Sequence, residues 1–244
     1  MDSPASDPGF GSELSYWDTE LSLEGTYPEA ILNRSIPERM EKEFPAYLVP
    51  RFEELRGVFG SIPRVLDVGS GPLSMLSHGH RMGIFQLTAA DPLATAYRDL
   101  LRKHNHPENC ALVECSGEDL VRCFGPESFE MVWIHNALDH SQDPAKVMQA
   151  MTGVLRTGGY LVVQGWTREG TTELWNGLHQ HDLYLDSTKR LMCETRGNPR
   201  AVCLSDGLPL DVVEAFEPTE VPKMWLRLIC RKRKLLNEVN LITV

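Results

Sequence analysis

A chain of 244 residues, 42% hydrophobic and 24% charged, has the size and composition of one α/β domain with additions, and two full domains are not expected. Its 24 Lys and Arg against 34 Asp and Glu leave a net charge of −10, which opposes binding to nucleic-acid backbones, where affinity comes from clustered cations. No apolar run approaches the ~20 residues that span a bilayer, residues 1–9 lack the basic and apolar parts of a secretory signal, and the six cysteines form no C-x-x-C pair of a zinc site or redox dithiol. The expectation is a cytoplasmic protein with no membrane or nucleic-acid partner, a monomer or homodimer, with most of its thiols reduced and buried.

Residues 1–12 read as a disordered lead-in. Residues 13–59 read as helical pieces broken by Pro28, Pro37, Pro45 and Pro50, the clearest over residues 50–57 with Gly57 as its stop. From Arg64 onward, strands near 63–68, 85–90, 110–114, 129–135 and 160–166 alternate with helices near 73–82, 92–103, 118–123 and 143–155. Such alternation means an α/β fold with a doubly wound, mostly parallel sheet, whose ligands bind outside the carboxyl ends of the strands. After Trp166 the alternation stops. Residues 190–195 and 200–204, joined by Arg196-Gly197-Asn198-Pro199, read as a β-hairpin within an insertion at about 167–209. Residues 212–216 and 223–231 are the closing strands, and the basic run Arg231-Lys232-Arg233-Lys234 reads as the solvated end of the last one.

The most informative stretch is Val65-Leu66-Asp67-Val68-Gly69-Ser70-Gly71-Pro72, with Asp91 about twenty residues beyond Gly71. A buried strand feeding a glycine turn lets backbone approach a ligand where a Cβ would collide, and an acid at that distance can hold ribose hydroxyls. Ser74 stands where a dinucleotide fingerprint has its third glycine. Asp67 beside a diphosphate would be repulsive, whereas it suits a ligand carrying an ammonium and a sulfonium.

With Gly117-Glu118-Asp119, with residues 132–140 as a fourth strand and its loop, and with Gly158-Gly159 before a fifth strand, residues 60–166 resemble the class I S-adenosylmethionine (SAM)-dependent methyltransferases. The resemblance implies their seven-stranded sheet over residues 60–244, an N-terminal helical lid at 13–59, and SAM as cofactor. It implies that Gly69 and Gly71 give backbone access, Asp67 supports the aminopropyl group directly or through water, and Asp91 takes the ribose. Pro92, His135 and Asn136 join the cofactor-binding set, with Glu118 or Asp119 near the adenine amino group.

Methyl transfer from a sulfonium is an in-line displacement, so a protein must align the acceptor, exclude water and remove a proton where the nucleophile carries one. The loop after the fourth strand holds His135, Asn136, Asp139 and His140. His140 is a candidate base tuned by Asp139, its alternative being a helix cap. Asn136 is a donor to substrate or cofactor, or simply a turn former. Gly177-Leu178-His179-Gln180-His181-Asp182 adds a second polar cluster, in which His179 and Gln180 are expected to touch substrate and His181 to lie at the surface. His78 and His80 also read as surface residues. A metal site of His179, His181 and Asp182 is not expected, because no matching spacing recurs.

Tyr16, Trp17, Asp18, Tyr27 and Arg34 form a third cluster in the lid, and together with residues 136–141 and 177–180 they resemble a small-molecule subgroup of these methyltransferases. Arg34 suits a substrate carboxylate, and Tyr16, Trp17 and Tyr27 a cation or the cofactor; ordinary lid packing is the alternative. The expected activity is methyl transfer from SAM to an O, N or S atom of a small polar metabolite, with His140 and His179 as catalytic residues. The alternatives are an RNA or protein methyltransferase, disfavoured by the acidic charge and by the lack of an Asn/Asp-Pro-Pro-Tyr motif after the fourth strand, and a non-catalytic SAM-binding partner subunit.

Overall fold

In the computed structural model, which describes residues 8–22, 44–217 and 225–234, strand β1 (Arg64–Val68) is buried at every position after Arg64 and so needs cover on both faces. It pairs in parallel with β2 (Gln86–Asp91) and β4 (Phe129–His135). β2 pairs in parallel with β3 (Ala111–Glu114), and β4 with β5 (Leu155–Trp166). At the other edge β10 (Trp225–Lys232) runs antiparallel between β5 and β9 (Leu210–Phe216), which completes a seven-stranded sheet ordered β3-β2-β1-β4-β5-β10-β9. The mostly parallel, doubly wound α/β architecture expected from the alternation is the one found.

Successive strand residues point to opposite faces, which divides the core in two. Leu66, Val132, Ile134, Leu161 and Val163 pack on one side with Val147, Met148 and Met151 of α6 (Pro144–Val154). Val65, Met131, Trp133, Tyr160 and Val162 pack on the other with Phe52 and Leu55 of α2 (Val49–Phe59). α6 starts where the Asp143 side chain accepts the Lys146 N–H at 3.1 Å, ahead of a proline that has no N–H to satisfy.

The remaining helices are α1 (Pro8–Leu21), α3 (Ser77–Arg81), α4 (Ala94–Lys103), α5 (Leu120–Phe124) and α7 (Glu169–Thr172). α1 packs on α4, where Asp18 takes the Lys103 ammonium and the His104 ring, each at 2.7 Å.

Several expectations are corrected. α1 begins at Pro8, so residues 8–12 are helical rather than part of a disordered lead-in. α2 runs through Gly57 and stops at Gly60, whose φ of 69° lets its N–H turn back to the Arg56 carbonyl. α3 is shorter than the helix expected over 73–82, and β5 begins at Leu155, with a register shift opposite Gly158 and Gly159. The expected hairpin is present as β7 (Leu191–Thr195) and β8 (Asn198–Cys203), and β6 (His181–Leu185) adds a third antiparallel strand to it. Four of the six cysteines, Cys110, Cys193, Cys203 and Cys230, are free, and the pair not foreseen is the disulfide between Cys115, just after β3, and Cys123 in α5, Cα to Cα 6.6 Å. The basic run ends β10 as expected, with Arg233 and Lys234 exposed. Arg231 pairs with Glu54 and Arg233 with Asp211, while the Lys232 ammonium donates to the Thr152 and Leu155 carbonyls. Among the described residues no helix is long and apolar enough to cross a membrane.

One buried charge ties the bottom of the sheet together. Glu130, 2% exposed, accepts the Arg64 backbone N–H at 2.6 Å and the guanidinium groups of Arg64 at 3.0 Å and Arg156 at 2.9 Å. Burial alone would raise its pKa, but the two arginines hold it below the usual carboxylate range. A carboxylate depressed in the folded state adds stability above its unfolded value, and that stability is lost as pH falls through the folded one. Glu130→Ala is therefore expected to lose about 3 kcal/mol at pH 7 in urea denaturation. The gap to the parent chain should narrow below about pH 4.

Candidate active site

The turn after β1 is held by a buried acid. Gly71 and Leu93 donate their N–H groups to the two oxygens of Asp91 at 3.1 and 2.9 Å. Burial pushes the Asp91 carboxyl up to about 7 against the pull of those bonds. Gly69 and Gly71 have φ of 65° and 62°. A Cβ on Gly69 would meet the Ala137 Cβ at 2.5 Å, and one on Gly71 the Trp17 ring at 3.0 Å. Both glycines are required by backbone conformation and by space.

Asp67 lies behind the turn. Its buried carboxylate accepts the Ser74 hydroxyl at 2.5 Å, burial pushes it up to about 7, and it does not line the cavity beside the turn. Ser74 in turn accepts the Leu76 N–H at 3.1 Å. The residue that replaces a dinucleotide-type third glycine thus braces the loop through its side chain, and Asp67 holds the turn from behind.

A cavity of about 1260 Å³ opens at the carboxyl ends of the strands, where the strand order reverses between β1 and β4. Gly69, Gly71, Asp91, Pro92, Glu118 and Asp119 line one end. Glu118 accepts the N–H groups of Gln142 and Asp143 at 3.1 and 3.2 Å, and Asp119 pairs with Arg122 at 2.8 Å. His135 stacks on Trp133 with ring centroids 5.7 Å apart and tilts against Trp225; burial pulls its pKa down to about 4, so it is neutral at pH 7. Asn136, at φ 50°, accepts the Trp166 N–H at 3.1 Å on its side-chain oxygen. α1 contributes Tyr16 and Trp17 to the wall, with the Trp17 indole N–H donating to Glu13 at 2.8 Å. Tyr27 and Arg34 lie outside the described residues.

At the far end the two expected histidines meet. His179 Nδ1 lies 2.8 Å from Asp139 Oδ2 and 3.1 Å from His140 Nε2, and His140 Nε2 lies 3.4 Å from the same Asp139 oxygen. Asp139 is buried behind the two rings, which line the cavity. Burial pulls the His179 pKa down, but the hydrogen bond and charge of Asp139 outweigh it and leave the ring above the ordinary imidazole range. Among the described residues this is the group of three side chains whose ligating atoms converge as a metal ion requires.

Two neighbours complete the picture. Glu169, 8% exposed, lines the same cavity; burial, then the Asp139 charge, raise its carboxyl to about 7. The sequence reading missed it, because Thr167-Arg168-Glu169 matches no motif and only its position after β5 is a signal. His181 is not at the surface. It is buried, with Nδ1 2.9 Å from Thr195 Oγ1 and Nε2 3.0 Å from the Ser141 carbonyl, which fastens β6 to the loop after β4 and so brings His179 to His140. Asp182 accepts the Thr171 N–H at 2.8 Å, so neither His181 nor Asp182 joins His179. Gln180 does not reach the cavity; its amide donates to the Trp175 and Gly177 carbonyls at 3.2 and 2.9 Å and braces its own loop.

Comparison with known proteins agrees with this geometry. Residues 66–163 match the family model of a methyltransferase domain. No curated protein matches the chain. Among solved structures, a Galdieria sulphuraria protein described as a sarcosine dimethylglycine methyltransferase is similar at 14% identity and a TM-score of 0.54, over 93% of this chain and 99% of that one. Phosphoethanolamine N-methyltransferase 2 of Haemonchus contortus is similar at 13% identity and a TM-score of 0.53, over 76% of this chain and 53% of that one. A 1,6-didemethyltoxoflavin N1-methyltransferase of Burkholderia thailandensis aligns at 18% identity and a TM-score of 0.48, over 96% of this chain and 94% of that one. The domain match runs from β1 through β5, across the strands that carry the glycine turn and Asp91, so residues 66–163 are a methyltransferase domain with SAM as its cofactor.

Proposed function

We propose that this enzyme methylates an N, O or S atom of a small polar metabolite held between the glycine turn and the Asp139–His140–His179 cluster. The observation that carries the reading is that one cavity contains both: backbone free of Cβ atoms beside Asp91 at one end, and two imidazoles backed by a buried carboxylate at the other. SAM, when bound, supplies a methyl group made electrophilic by its sulfonium. In the proposed arrangement Asp91 accepts the ribose hydroxyls, Gly69 and Gly71 allow backbone contact, and Glu118 or Asp119 meets the adenine amino group. Asn136 stands at the rim of the acceptor space, and His140 and His179 face the acceptor and relieve it of its proton, with Asp139 holding His179 in place. α1, with Tyr16 and Trp17, acts as a lid that keeps water from the reacting atoms. The net charge of −10 and the ion-paired basic run favour a small substrate over RNA.

Two outcomes test this reading. Asp91→Ala should weaken SAM and S-adenosylhomocysteine in calorimetric titration by about 100-fold with an unchanged circular dichroism spectrum, because a buried, charge-assisted acceptor is lost. Retained affinity in that variant overturns the assignment of the cofactor end. Incubation of the full chain with SAM and a panel of small amines, carboxylates, alcohols and thiols should release S-adenosylhomocysteine. His140→Ala and His179→Ala should each lower kcat roughly 100-fold while SAM affinity stays constant. Turnover stimulated by RNA and by none of the small acceptors sinks the small-metabolite reading.

A further inference from the structure

We propose that Asp139, His140 and His179 bind a divalent transition-metal ion at the acceptor end of the cavity. Oδ2 of Asp139, Nε2 of His140 and Nδ1 of His179 form a triangle with edges of 2.8, 3.1 and 3.4 Å. Donors bound at 2.0–2.1 Å to one ion, at adjacent octahedral or at tetrahedral positions, lie about 2.8–3.4 Å from each other. A single ion therefore fits within bonding distance of all three without moving a side chain. Hydrogen bonding alone serves this triangle less well. One proton on His179 Nδ1 satisfies Asp139, and His140 Nε2 then directs either a second proton at the same oxygen from 3.4 Å or a lone pair at a proton already shared.

An independent observation points to the same place. Glu169 is 8% exposed, lines the cavity, and its Oε2 has no hydrogen-bond partner among the described residues. It feels the charges of both Asp139 and His179. Neither Asp139 nor Glu169 is ion-paired to a lysine or arginine among the described residues, so these two buried acids have the histidine rings as their cationic neighbours. An ion on the three ligands would neutralise both.

Two imidazoles and one carboxylate form a donor set for Zn²⁺, Co²⁺, Fe²⁺ or Ni²⁺ rather than for Mg²⁺ or Ca²⁺, which take oxygen ligands. The set is also held in advance, since Asp139 and His140 share one tight turn and the bonds of His181 to Thr195 and Ser141 anchor the strand that follows His179. His140 and His179 both line the cavity. The inference rests on the reading of that end as the acceptor site and refines it. An ion held there would occupy both imidazole lone pairs and so take over from the two rings the task of making the acceptor's proton easier to lose, by lowering the acceptor's own pKa.

The test uses the full chain, stripped with a chelator and titrated with Co²⁺ alone, followed by its visible absorption. About one equivalent should bind and be displaced by Zn²⁺. His140→Ala and His179→Ala should each weaken it at least about 100-fold, Glu169→Gln about 10-fold, and His78→Ala not at all. X-ray absorption of the Zn²⁺-loaded parent chain should show two imidazoles, which keeps the test decisive if a variant fails to fold. Absence of saturable Co²⁺ binding, binding untouched by both histidine changes in folded variants, or a different donor set overturns the proposal. SAM titrated into the same protein separates the two readings. SAM binding without ion binding removes only the metal, whereas ion binding without SAM binding removes the methyl-transfer reading and leaves the metal site.

Discussion

The hydrogen bond from the Gly71 amide to the buried carboxylate of Asp91 is the constraint on which the cofactor end depends. It joins the point where the chain leaves β1 to the last residue of the neighbouring strand β2, so the loop cannot drift from the sheet. The same carboxylate also takes the Leu93 N–H and thereby sets the entry into α4. A charge so deeply placed is costly unless hydrogen-bonded, and backbone amides rather than a guanidinium carry that burden here. Its neighbour Asp67 is settled in the same way by the Ser74 hydroxyl. The result is a bare stretch of backbone whose position is fixed by two acids, one facing the cavity and one behind it.

The opposite end is assembled from segments far apart in sequence, and the insertion does the assembling. β6 carries two buried polar residues, His181 and Asp182, whose bonds to Ser141 and Thr171 close the insert against the loops after β4 and β5. His179 precedes that strand and therefore arrives beside His140 at a set distance. A buried histidine with partners on both nitrogens fixes position in a way an apolar residue cannot, because its bonds have direction.

What the residues revealed in advance follows from how local each constraint is. β1, β4 and β5 were legible because a strand buried on both faces must be a continuous apolar run, and Gly69 and Gly71 because their φ angles exclude other residues. His140 and His179 stand out as candidates by residue type and by their places after consecutive strands, but their contact depends on the insert. β6 stayed hidden because His181 and Asp182 are polar yet buried, an arrangement only their partners explain. Cys115 and Cys123 meet because the 3-10 turn Gly117–Asp119 folds α5, which carries Cys123, back towards Cys115, and nothing in their spacing states that. Gly57 was taken as a helix stop, but a glycine inside a helix costs only about 1 kcal/mol, and the left-handed residue is Gly60. Gln180 shows the opposite error: a polar side chain beside the site that satisfies its own loop.

The indole of Trp17 covers the Gly71 turn, and α1 is clasped to the end of α4 by Asp18 against Lys103 and His104, with His106 on the Leu21 carbonyl. Contacts of this sort at the protein's rim contribute little to overall stability, and dissolved electrolyte weakens them. What holds α1 beyond these rim contacts is the packing of Phe10, Leu14, Trp17 and Leu21 on its inner face. If α1 is the lid proposed above, these salt-sensitive contacts are the ones that must give way for spent nucleoside to be exchanged for fresh.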